Sequence, residues 1–218
     1  MAEKISTLIL WMVPFIFSLS FHEFAHAWAA KKFGDRTAEM MGRLSMNPVA
    51  HIDPLGTIIF PVVGFLTSIP IIGWAKPVPV NERNLKNPIR QGMWVAAAGP
   101  ISNMILAVVF TGCLAVFFPS SSVSPLQSVT DIGQNNPIKM MLIFAVYLNV
   151  LLAFFNLLPM PPLDGGRVLR GLFPGLSPQL EWIERYGFFI LIILLYTGVI
   201  RYLLIPAFLI VHYLLSWV

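Results

Sequence analysis

The chain has 218 residues, 57% of them hydrophobic and only 11% charged, with a mean hydropathy of +0.77. A soluble domain carries about 25% charged residues, so a globule surrounded by water is excluded and an integral membrane protein is indicated. Fourteen Lys and Arg against ten Asp and Glu leave a charge of +4, scattered between apolar blocks, which excludes a nucleic-acid-binding patch. One cysteine, Cys113, excludes an internal disulfide and a cysteine-based metal site. The length suits one domain, residues 1–218.

A membrane span needs about 20 apolar residues. Residues 5–22 carry no charge, and the apolar pattern runs on to Ala30 apart from His22, Glu23 and His26. Lys4 followed by this stretch and by Ala25-His26-Ala27 resembles a signal peptide, but Glu3 offsets the single lysine, and the stretch reads as a retained span. Further charge-free runs cover 54–75, 91–130, 140–163, 186–200 and 202–218. The 91–130 block holds one helix, about 92–117, followed by an exposed loop at Pro119–Pro125. The 54–75 run contains Pro54, Gly56, Pro61, Gly64, Pro70 and Gly73, then leads into Lys76-Pro77-Val78-Pro79-Val80. That density predicts broken, re-entrant backbone, which is tolerated in a bilayer only where protein shields it. The turn residues and short alternation around Arg43–Asn47 predict a small β-hairpin near 43–52, whose edge could hold an extended substrate. The expected fold is an all-α polytopic membrane protein. It has about five full spans, the last two near 183–200 and 202–217, plus the re-entrant 54–75 segment and the hairpin.

His22-Glu23-Phe24-Ala25-His26 is an H-E-x-x-H sequence. On a helix, residues four apart share a face, with Cβ atoms about 5–6 Å apart, so both imidazoles can bind one ion while the glutamate reaches water as a base. The pattern also arises by chance in soluble helices. Inside an apolar helix, however, these three groups cost several kcal/mol unless paired or ligated, and a metal site is the stronger reading. A catalytic zinc takes three protein ligands and keeps one open position. The extended motif that would supply the third fails, because Ala29 and Lys32 stand where Gly and His are needed.

The remaining candidates are His51, Asp53, Asp164 and His212. Asp164 is the best of them. It follows Asn156-Leu157-Leu158-Pro159-Met160-Pro161-Pro162-Leu163 and precedes Gly165-Gly166, a broken backbone beside a carboxylate that belongs in a wet or buried pocket. His51 reads as a residue behind the site or lining it, and His212 as a packing residue.

Together, H-E-x-x-H on an apolar helix and a distant N-x-x-P-x-x-P-L-D-G segment resemble the site-2 protease family of intramembrane zinc metalloproteases. Ala98-Gly99-Pro100-Ile101-Ser102-Asn103 is similar to that family's G-P-x-x-N helix. The resemblance implies one Zn2+ per chain bound by His22, His26 and Asp164, with Glu23 as general base. It also places Asn156 near the zinc, holding substrate or an oxyanion, while Asn103 supports the site or a neighbouring backbone. The chain resembles a compact member, without PDZ or nucleotide-sensing domains. Implied partners are the lipid bilayer and a transmembrane protein substrate.

Charge sets a topology. His22 lies about 26 Å along the first helix from Ile5, near its far end, and Asp164 follows the far end of the span starting near Met140. The two meet only if these spans are parallel, which requires 54–75 to be re-entrant. Eleven of the fourteen basic residues then share one side, leaving Lys4, Lys139 and Arg201 opposite. A full crossing would split them eight to six. Positive charge accumulates on the cytoplasmic side, so the N-terminus is expected outside, the C-terminus inside, and the metal site near the cytoplasmic face. A membrane metal transporter could also use His and Asp ligands on broken helices, but it would not need Glu23. A scaffold without activity would not need it either.

Overall fold

The computed structural model describes residues 2–67, 73–119 and 136–218. Beyond Pro119, the loop expected at Pro119–Pro125 lies outside the described residues, as does the tip of the 54–75 segment. Helix α1 spans Ala2–Lys32, with Pro14 inside it. It stops in a Schellman arrangement: the Gly34 N–H donates to the Lys31 carbonyl and the Asp35 N–H to the Ala30 carbonyl. Lys31 and Lys32 in the last turn complement the negative end of the helix dipole.

The next stretch corrects one expectation. Among the described residues there is no strand, and 43–52 is not a hairpin. After the short helix α2, Thr37–Met40, the chain makes a 3-10 turn at Pro48–Ala50. Asn47 Oδ1 accepts from the Val49 N–H at 3.1 Å, and the His51 N–H donates to the Pro48 carbonyl at 2.8 Å. Local turn chemistry thus takes the backbone groups a ladder would have used, and Pro48 has no N–H to offer.

The 54–75 segment turns back on itself. Asp53 caps a π-helical turn, Pro54–Ile59, by accepting from the Leu55 and Gly56 N–H groups, and α3, Phe60–Thr67, follows. The chain then returns beside its entry point: the Trp74 N–H donates to the Gly56 carbonyl at 3.1 Å and the Lys76 N–H to the His51 carbonyl at 2.9 Å. Thr57 Oγ donates to the Trp74 carbonyl at 2.8 Å. These contacts satisfy the broken backbone within the protein.

Helix α4 spans Pro88–Phe117 and α5 spans Pro137–Asn156, each started by an asparagine cap and a first-turn proline. With α1 they are the three helices among the described residues long and apolar enough to cross a bilayer. His26 meets Val95 and Ser18 meets Asn103, so α1 and α4 run antiparallel. Asn149 of α5 meets Ser18, and the chain that leaves the end of α5 brings Asp164 to His22 one turn further along α1, so α5 runs parallel to α1. The protein is an integral membrane protein.

Five spans are not reached among the described residues. After α6, Asp164–Leu172, the chain forms α7, Ser177–Tyr196, then α8, Val199–Leu203, and α9, Ile205–Leu215. Gly198, with φ +76°, ends α7 inside the span expected near 183–200, and α9 supplies 11 helical residues of the span expected near 202–217. The main core forms where Ala107 and Leu114 of α4 meet Ile143, Val146 and Val150 of α5 and Ala207, Val211 and Leu215 of α9. The spacing of three, four or seven places each set on one helix face.

Because lipid is as apolar as leucine, this core is held by packing rather than by escape from water. Leu114 is fully buried in it. Leu114→Ala is expected to lower stability by about 2 kcal/mol through the cavity it leaves, read as an earlier unfolding midpoint in detergent micelles.

Candidate metal centre

His22 and His26 sit on the inner face of α1, where α4 crosses it. His22 Nδ1 donates to Asn103 Oδ1 at 2.6 Å, and His26 Nδ1 donates to the Val95 carbonyl at 2.7 Å. Both partners are acceptors, so both Nδ1 atoms carry the proton and both Nε2 atoms present lone pairs. The asparagine's orientation is itself enforced. Asn103 Nδ2 donates to Asn149 Oδ1 at 2.9 Å and faces the Ser18 carbonyl at 3.4 Å, while Asn149 Nδ2 donates to Ser18 Oγ and to the Ala145 carbonyl, each at 2.8 Å. Asn103 and Asn149 are wholly buried.

The two Nε2 atoms lie 2.9 Å apart, and Asp164 Oδ2 lies 3.2 Å from the first and 3.3 Å from the second. Three acceptors therefore face one point. Asp164 Oδ2 is buried and has no hydrogen-bond donor among the described residues. Ligands about 2.0–2.1 Å from a tetrahedral ion are separated by roughly 3.3 Å, so the donor set fits zinc in both chemistry and size.

Two backbone features make the convergence feasible. A Cβ on Gly99 of α4 would lie 2.5 Å from His22 Cε1 and from His26 Nε2, so only glycine lets α4 approach the two rings. Asp164 is the first residue of α6, and a Cβ on the following Gly165 would lie 2.2 Å from the Leu158 carbonyl oxygen. The tight turn of 157–163 against Gly165 aims the carboxylate back at α1.

Glu23 lies beside this cluster, half-buried, with Oε2 accepting from the Val78 N–H at 2.8 Å. The other residues marked by the sequence make the following contacts. Asn156 is half-buried at the end of α5, and its Nδ2 donates to the Leu152 carbonyl at 3.0 Å. His51 is buried; its Nε2 donates to the Ser45 carbonyl at 2.7 Å and its Nδ1 has no partner among the described residues. Asp53 caps the turn at 54–59, and His212 is exposed on α9. The group of His, Cys, Asp and Glu side chains among the described residues that could hold a metal ion is His22, His26 and Asp164.

The sequence of peptidase family M50 matches residues 10–196. The chain belongs to peptidase family M50. It is 39% identical over 198 residues to YwhC of Bacillus subtilis, covering 89% of this chain and 84% of that protein. It is 30% identical over 197 residues to Rip2 of Mycolicibacterium smegmatis, covering 88% of this chain and 69% of that protein. Both relatives bear zinc metalloprotease names. No solved structure matches the chain. This M50 protein is a site-2-type metallopeptidase with zinc as its cofactor.

Ser18 and Asn149, which tie the Asn103 amide down, went unmarked in the sequence. Their signal is faint but real: a serine and an asparagine in otherwise apolar runs, whose polar atoms must be satisfied by each other in a bilayer. The Val78 N–H could not be marked, since every non-proline residue has one. Replacing Asn149 with leucine frees the Asn103 amide and is expected to weaken zinc binding about tenfold, read by competition with a chelator. Gly99→Ala is expected to displace the imidazoles and lose zinc more completely.

Proposed function

We propose that this chain is a zinc-dependent intramembrane endopeptidase, one membrane domain over residues 1–218, that hydrolyses peptide bonds in or near transmembrane segments of membrane-protein substrates. His22, His26 and Asp164 hold the ion, and Glu23 is the general base. The carrying observation is the convergence of Nε2, Nε2 and Oδ2 on one point with no donor among the described residues, one residue along the helix from Glu23.

Zinc in that position supplies a Lewis acid for the scissile carbonyl and brings the acidity of water close to neutral pH. Glu23 takes the proton from the attacking water and passes it to the leaving amine. The Val78 N–H donates to Oε2 and leaves Oε1 without a hydrogen-bond partner among the described residues. Asn103 and the Val95 carbonyl keep both imidazoles in the tautomer whose Nε2 can bind. Asn156 has a second amide hydrogen beyond the one on Leu152, and it is directed to the substrate carbonyl. His51 supports the site from behind, through its ties to Ser45 and Lys76. A substrate helix hides its peptide bonds and unwinds locally before cleavage.

The distribution of basic residues supports an outside N-terminus, a cytoplasmic C-terminus and a site near the cytoplasmic face. Lys31 and Lys32, just beyond His26, mark that face and set the imidazole about 7 Å inside it. Glu23→Gln in liposomes with a single-span substrate is expected to keep one zinc per chain and to lose cleavage by at least about 100-fold. Cleavage at the parental rate would refute Glu23 as the base.

A further inference from the structure

The Lys76-Pro77-Val78-Pro79-Val80 stretch forms neither helix nor strand and meets Glu23 at Val78. Pro77 and Pro79 have no N–H. Within residues 77–79, therefore, the Val78 N–H is the sole backbone donor, and it points at the Glu23 carboxylate. The two prolines also narrow the conformations that could turn this donor away.

Both ends of the stretch are clamped. At the front, Arg43 Nη2 donates to the Lys76 carbonyl at 2.6 Å and to the Pro77 carbonyl at 3.3 Å. Arg43 is buried, and it holds this position although its Nε has no partner among the described residues, a cost that a merely convenient contact would not sustain. At the back, Asp35 is wholly buried. Its Oδ2 accepts from the Asn81 N–H at 2.7 Å, and its Oδ1 from Asn84 Nδ2 at 2.8 Å and from Thr37. Burial pushes the Asp35 carboxyl up, but the hydrogen bonds from Thr37, Asn84 and Asn81 outweigh it and hold the group below the usual carboxylate range. The strap then continues to Glu82, which pairs with Arg170 of α6, the helix that begins at Asp164.

We propose that this strap is a positioning device for Glu23. The Val78 N–H orients the carboxylate toward the attacking water, and Arg43 and Asp35 are positioning residues that act through it. The proposal rests on the reading of Glu23 as the base. It concerns the direction of the carboxylate and not its protonation.

The test uses full-length protein in liposomes with a single-span substrate, reading kcat, KM and zinc content for each variant. Val78→Pro deletes the N–H between two residues that already lack one. It is expected to lower kcat about tenfold to a hundredfold, the range for a hydrogen bond to a charged group, with KM and zinc within twofold of the parent. Val78→Ala keeps the N–H and is expected to lose less than threefold in kcat. Arg43→Ala is expected to lower kcat in the same pattern, and Arg43→Lys to recover part of it. If Val78→Pro does not fold, the Arg43 pair decides by the same criteria.

Parental kcat in Val78→Pro, or a rise in KM at constant kcat, would overturn the proposal, the second because the strap would then be acting on substrate. Glu23→Gln run in parallel separates the two ideas. If it still cleaves, the base assignment has failed; if it is inactive while Val78→Pro is at parental kcat, only the strap's role has failed.

Discussion

Three hydrogen-bond acceptors pointing at one another inside an apolar helix bundle cannot persist unless something positive stands between them. Two imidazole lone pairs and a carboxylate oxygen lie about 3 Å apart in this protein. The atoms that could relieve the repulsion, the two Nδ1 hydrogens, are already committed to Asn103 and Val95. A divalent cation satisfies all three at once. The close approach of α4 at Gly99, the turn that aims Asp164, and the buried amide pair all serve to hold this arrangement.

The chain from Ala145 through Asn149 and Asn103 to His22 links all three long spans through directional bonds. In a bilayer, packing alone gives little preference for one rotation of a helix about its axis over another, because lipid solvates any apolar face equally well. Buried amides do give such a preference, since a misrotated helix would leave them unpaired in hydrocarbon. The same residues that set the tautomer of His22 therefore also set the register of α1 against α4 and α5. Fold and chemistry are specified by one set of hydrogen bonds.

The polar connections at the end of α1 form a second frame. Asp35, Arg43, Glu82 and Arg170 tie the segment 76–84 to the end of α1, to the loop after it and to α6. The two halves of the metal cluster, α1 with its histidines and α6 with its aspartate, are thereby joined outside the bundle as well as within it. The main hydrophobic core of α4, α5 and α9 is formed by residues other than those of the site, and smaller apolar clusters pack beside α1 and the turn before Asp164.

Composition and charge-free runs were enough to read a membrane protein. The four-residue spacing of His22 and His26, with the broken segment before Asp164, was enough to pick out three side chains that converge, because these signals are local and their cost in an apolar setting is high. The broken course of 54–75, whose exit at Trp74 returns beside Gly56, was legible from proline and glycine density. The hairpin at 43–52 was misread because alternation over so few residues does not outweigh the turn chemistry of Asn47-Pro48. At the C-terminus hydropathy does not register the helix breaks at Gly198 and Leu204, and three long apolar helices are what the described residues show. Folding alone decided which polar groups meet. Asn149 finds Asn103, and Val78 finds Glu23 across 55 residues of chain, because hydrogen bonds between distant segments depend on helix rotation and loop path, which leave no periodic trace in the order of the amino acids.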